Sequence, residues 1–132
     1  MSTGQTFQKS ERLKSKKLIE SLFQNGTKKN YFPLKVFVFP QSSNVPFPIK
    51  LLVSVPKRNM KRAVKRNRIK RLIRESWRLN KNHLYQRLNE QNLTGVVMLM
   101  YTGSEIPVKK DIDAKMPLLI SFILGELQKK AQ

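Results

Sequence analysis

Residues 57–74 read KRNMKRAVKRNRIKRLIR, with ten Lys or Arg and no acid in eighteen positions. A solvated basic arm has no use for a buried stripe. Yet Ile69, Leu72 and Ile73 recur inside this run at helical spacing, so the stretch must fold while carrying its charge. At 100° per residue from Ile69, the residues Leu79, Leu72, Ser76, Ile73 and Trp77 span about 160° of arc. Asn67, Lys70, Arg71, Arg74, Arg78 and Lys81 take the opposite arc, which makes one face for core and one for phosphates. Lys65 and Arg66 break the phase, because a helix continued back through them turns them toward the apolar side. The pattern therefore predicts a helix beginning near Arg66 or Asn67, with the earlier cations on a connection. Cations would then surround the free N–H groups of a helix start, an arrangement suited to anions. Glu75 is the single acid of this helix, within reach of Arg71 and Arg78.

The charge of the whole chain points the same way. Its 132 residues carry 27 Lys or Arg against eight acids, a net +19. Self-repulsion of that size opposes compaction unless a polyanion relieves it, so the expected partner is a nucleic acid, with an anionic membrane surface second. The length suits one domain, residues 1–132, with residues 1–8 loose. No run of about 18 apolar residues is present, and the first residues lack the apolar core of a signal peptide. The chain has no cysteine, so disulfides and thiolate metal sites are excluded.

Along the chain, Ser10 opens a predicted helix reaching Phe23, with Leu13, Leu18, Ile19, Leu22 and Phe23 on its apolar side. Asn25 and Gly26 stop it. Residues 31–39 change to period two. Leu34, Val36 and Val38 share one face, and Lys35, Phe37 and Phe39 the other. The first set reads as core. The second reads either as a base-stacking platform or as a second packed layer. Residues 49–55 give a second, more apolar strand expected at the centre of the sheet, and Pro56 ends it. After the basic helix, Gly95 precedes a continuous apolar run, residues 96–101, that suits a buried strand. Strand, helix, strand suggests a crossover connection within one sheet. A last helix is predicted with Asp113 as cap and Pro117 in or just past its first turn. Leu118, Leu119, Phe122, Ile123 and Leu127 are its expected packing face.

No catalytic constellation emerges. His83 is the single histidine and sits where the basic helix runs out, as a surface residue. Asp111 and Asp113 have the spacing of a capped turn rather than of a metal site. A protein nuclease needs clustered carboxylates or a histidine pair, and the chain has neither. Hydrolysis supported by such a chain falls to a partner.

The segment Ala63-Val64-Lys65-Arg66-Asn67-Arg68-Ile69-Lys70-Arg71-Leu72-Ile73-Arg74-Glu75 closely resembles the central motif of the bacterial ribonuclease P protein subunit. Arg12-Leu13-Lys14, Phe23-Gln24-Asn25-Gly26-Thr27 and Val53-Ser54-Val55 match in order and spacing. The resemblance covers residues 12–101, with a looser match in the last helix. It implies an α+β fold, a two-layer α/β sandwich in the order helix, three strands, helix, strand, helix, with a left-handed crossover. The first strand would lie between Gly26 and Asn30, where no pattern marks it.

The resemblance also implies a function: assisting removal of the 5′ leader from precursor tRNA, as the protein half of a cytoplasmic endoribonuclease. The active site and its Mg2+ would belong to the catalytic RNA subunit. The partners would be that RNA and precursor tRNA, with no membrane, protein partner or protein-bound cofactor implied. RNA-subunit contacts would come from Arg66, Asn67, Arg68, Lys70, Arg71 and Arg74, with the connection cations Lys57, Arg58, Lys61, Arg62 and Lys65. A leader cleft between the first helix and the sheet would use Arg12, Lys16, Ile19, Phe23, Lys35 and Phe37. Ile19 departs from the aromatic type of that cleft. Residues 56–62 lack the glycine many members have there and run one residue longer. The other classes weighed are a ribosomal or other structural RNA-binding protein using the same basic helix, and a DNA reader. The last lacks any dimer seam.

Overall fold

The alternation of Leu34, Val36 and Val38 commits the middle of the chain to a sheet with two faces. A computed structural model describes residues 11–42 and 47–130 and shows what covers each face. The order is α1 (Lys16–Asn25), β1 (Thr27–Tyr31), β2 (Leu34–Pro40), β3 (Ile49–Ser54), α2 (Ala63–Glu90), β4 (Gly95–Tyr101) and α3 (Lys109–Lys130). This is the predicted α+β order. The strands lie β1-β2-β4-β3, antiparallel except for the parallel β3/β4 pair that α2 connects. Residues 1–8 and Ser10, for which a loose start and a helix opening were expected, lie outside the described residues.

One face of the sheet packs Leu34, Val36, Val38, Val53, Val97 and Leu99 against Ile69, Ile73, Trp77 and Leu84 of α2 and Met116, Leu119 and Ile123 of α3. Sheet and helix pair make the two layers of the sandwich. The opposite face carries Phe37, Val96 and Met98 and is partly covered by Leu22 of α1 and by Leu13. β4 is buried on both sides, which explains its unbroken apolar run.

Several sequence expectations are corrected. The inner strands are β2 and β4; β3 ends the four-stranded order, where residues 11–13 run beside it. Leu13 N–H donates to the Leu51 carbonyl at 2.9 Å, and Arg12 bridges Leu51 in parallel. That pairing holds residues 11–13 extended, so α1 begins at Lys16 behind Ser15, whose hydroxyl accepts from Leu18 N–H at 3.4 Å. Gly26 ends α1, but with φ of −70°, so left-handed backbone is not its role. A Cβ there would sit 2.5 Å from the Leu22 carbonyl oxygen, and only glycine permits that approach. The expected strand over residues 31–39 divides at a turn, with Tyr31 ending β1 and Leu34 starting β2.

The helix α2 starts at Ala63, a turn ahead of the phase prediction. Arg66 does point toward the apolar side, and it is accommodated there by donating from Nη1 to the carbonyls of Met60 at 3.0 Å and Lys61 at 2.6 Å. Further along, the buried stripe drifts round the helix. Tyr85 and Leu88 fall about 160° and 100° from Ile69. Lys81, at about 120°, is therefore inside that stripe at 1% exposure instead of on the basic face. On the side the stripe leaves, Leu79 is 44% exposed. The last helix begins at Lys109, so Asp113 is an interior residue paired with Lys109 at 2.6 Å, and Pro117 lies well inside. Its buried residues are Ile112, Met116, Leu119, Ile120, Ile123 and Leu127; Leu118 faces outward.

Candidate nucleic-acid interface

Because α2 carries cations on more than one arc, its first half presents two separate basic surfaces. Asn67, Arg71, Arg74 and Arg78 fall on one stripe, and with Arg12 and Glu75 they line a recess of about 430 Å³. The bridge to Leu51 brings Arg12 there, so the structure groups it with the α2 cations. Arg74 is half-buried, and its pKa is lowered by burial and then by the charge of Arg12. Like charges held this close favour an anion between them. Glu75 accepts hydrogen bonds from Arg78 Nε at 3.1 Å and Nη2 at 2.5 Å. That bond holds the Glu75 carboxyl below its ordinary range and raises Arg78. The one acid of the recess is thereby matched to one cation, leaving an excess of positive charge.

On the other stripe, Arg62, Lys65 and Arg68 are exposed around Val64 and Ile106. Lys57, Arg58 and Lys61 are exposed on the preceding connection, and Lys70 is half-buried. Arg66 is half-buried against carbonyls it braces, so its geometry serves the connection as well as any ligand. Its two bonds tie the connection to the helix start and set where the neighbouring cations stand.

A third surface lies on the α1 side of the sheet. There Lys28, Phe37, Met98 and Leu52 form one row across the four strands, with Asn30, Lys35, Met100 and Ser54 beside it. Phe23 of α1 stands edge-on to Phe37, ring centroids 5.4 Å apart at 62°. Phe37 is 3% exposed, so it is packed core and offers no open ring face; Phe23 is 44% exposed and does. Lys35 Nζ lies 5.5 Å and Lys28 Nζ 5.6 Å from the Phe37 centroid, each within cation–π range. Ile19 is half-buried against the same cluster, and Lys16 is exposed at the start of α1. Sequence reasoning missed Lys28. Its strand, TKKNY, shows no apolar alternation and exists through pairing with β2.

Among the described residues no three His, Cys, Asp or Glu side chains gather into a metal-binding group, and no helix is long and apolar enough to cross a membrane. His83 is exposed. Fold and surface together define an α+β sandwich with basic surfaces on several sides.

Comparison with known proteins names the family. The Ribonuclease P family pattern matches residues 7–107. Ribonuclease P protein components from two strains of Porphyromonas gingivalis, ATCC 33277 and W83, are each 35% identical over 123 residues, covering 93% of this chain and 90% of theirs. The chain belongs to the ribonuclease P protein family. The fold agrees with that of Staphylococcus aureus RNase P protein, with a TM-score of 0.55 at 23% identity over 94% of this chain and 97% of that one. A second structure of the S. aureus protein gives 0.53 at 24% identity, over 96% and 92%.

Proposed function

We propose that the chain is the protein subunit of a ribonuclease P ribonucleoprotein and assists removal of the 5′ leader from precursor tRNA. Family membership carries this reading, and the position of the matching motif supports it: the motif coincides with the exposed cations of α2. In this reading the catalytic RNA subunit docks on α2 and its preceding connection, neutralising phosphates with Arg68, Arg71 and their neighbours. The leader passes over the α1 side of the sheet, where Phe23 offers a ring and Lys28 and Lys35 offer charge. Bond cleavage belongs to the RNA subunit, whose Mg2+ would activate the attacking water. The protein contributes affinity and position, in the cytoplasm where precursor tRNA is made.

Reconstitution tests this. Protein alone should leave precursor tRNA uncut; added to the RNA subunit, it should lower the magnesium demand and tighten substrate binding. If the RNA subunit behaves identically with and without the protein, the proposal fails. Ribosomal RNA as the RNA that co-purifies with the protein would favour a structural RNA-binding role instead.

A further inference from the structure

On the stripe away from the Arg12 recess, the start of α2 and the segment between β4 and α3 enclose a second hollow, of about 300 Å³. Its lining is Val64 and Ile106, with Arg62, Lys65 and Arg68 beside them and no acid. Val64 is 80% exposed, although it stands in the most basic part of the chain. It lies about 140° from Ile69 on the helix, off the buried stripe, so it has no packing duty in the core. Ile106 is half-buried and packs against the main core, which fixes the far wall of the hollow.

We infer that this hollow receives one unpaired nucleobase of an RNA strand, held between Val64 and Ile106 with its flanking phosphates on Arg62, Lys65 and Arg68. Two features select that occupant. The apolar walls suit the face of a planar ring, and the purely cationic rim suits a ligand tethered at both ends to anions. A duplex cannot enter so small a hollow, because its bases are stacked and its A-form major groove is deep and narrow; an unstacked base can. The inference rests on the proposed RNA-binding function and adds a contact that is not electrostatic. It predicts that part of the affinity survives at high salt, since burial of an apolar wall releases no counterions.

The test uses the full chain, the ribonuclease P RNA subunit and the variants Val64→Ser, Val64→Leu and Lys65→Ala. Val64→Ser should weaken RNA binding about tenfold, the scale of losing one buried valine, without changing the salt slope. Val64→Leu should retain the affinity, and Lys65→Ala should lower the slope. Chemical probing should find one unpaired base protected by the wild-type protein and exposed again with Val64→Ser. Because Val64 is a surface residue, circular dichroism should show all variants folded. Unchanged affinity for Val64→Ser, or the lack of any base whose protection depends on Val64, overturns the inference while leaving the proposed function intact. Failure of the wild-type protein to bind the RNA overturns both.

Discussion

Glu11 and Lys81, seventy positions apart, form an ion pair of 2.6 Å with exposures of 0% and 1%. Tyr85 Oη donates to the same carboxylate oxygen at 2.6 Å. Lys81 Nζ also lies 5.1 Å from the Tyr85 ring centroid and 5.9 Å from that of Phe47. Burial, and then the bond to Glu11, raises the Tyr85 pKa, so the phenol stays a donor. Glu11 immediately precedes Arg12, so this buried cluster fastens the segment that brings Arg12 to the α2 cations.

Breaking the pair from one side takes the opposite charge, 2.6 Å away, from a side chain that stays buried. Lys81→Met or Glu11→Leu alone should cost about 3–5 kcal/mol of stability, measured by urea unfolding. The double substitution should cost much less than the sum. Additive losses would show that the two side chains act independently. The same single variants should also weaken RNA binding beyond the charge they remove, through Arg12.

The two rings at the α1 side should separate packing from contact. Phe37→Ala should destabilise the fold by about 3–5 kcal/mol, the usual cost of emptying a core phenylalanine site. Phe23→Ala should leave most of the stability but weaken leader-bearing precursor by about 1–3 kcal/mol if a base stacks there. Mature tRNA binding should not change. Fluorescence titration of both RNAs with each variant decides this, and equal loss for both RNAs would remove Phe23 from leader contact.

Arg68→Ala and Arg71→Ala lie on different stripes of α2, and each should weaken binding of the RNA subunit. Each should also reduce the slope of log affinity against log salt by roughly one unit per lost phosphate contact. Filter binding across a salt series measures it. An unchanged slope for either variant would mean that cation faces water.

Asp113 supplies a pH dependence. Its pKa is lowered from 3.8, first by the hydrogen bond from Lys109, against a smaller opposing effect of burial. A carboxyl with a lowered folded pKa adds stability above its unfolded value and loses it as pH falls through the folded one. The urea midpoint should thus fall on acidification below about pH 4, and Asp113→Asn should reduce that acid dependence. An identical acid profile in the variant would contradict the assignment.

How far the chain could be read in advance differs from element to element. β4 was legible because burial on both faces demands a continuous apolar run. The core of α2 was legible through Ile69, Ile73 and Trp77, whose spacing needs no partner to be recognised. β1 was not legible: TKKNY has no periodicity of its own, and its ladder comes from β2. α2 starts at Ala63, one turn ahead of what its phase predicts, because a cation on the apolar side is tolerated when backbone carbonyls hold it. Arg66 shows this, a guanidinium anchored through Nη1 by two carbonyls.

By itself the sequence determined that a basic helix must exist and that its cations outnumber any local acids. Those conclusions rest on charge, periodicity and the inventory of side chains, which are properties of the chain at short range. Only the tertiary structure decided which cations are available. It buried Lys81 against Glu11, turned Arg66 to its own backbone, and carried Arg12 along the β3 edge to the cations of α2. It also closed α1 over Phe37 while leaving Phe23 open. Each of these depends on contacts between residues far apart in sequence, and burial there outweighs the local pattern.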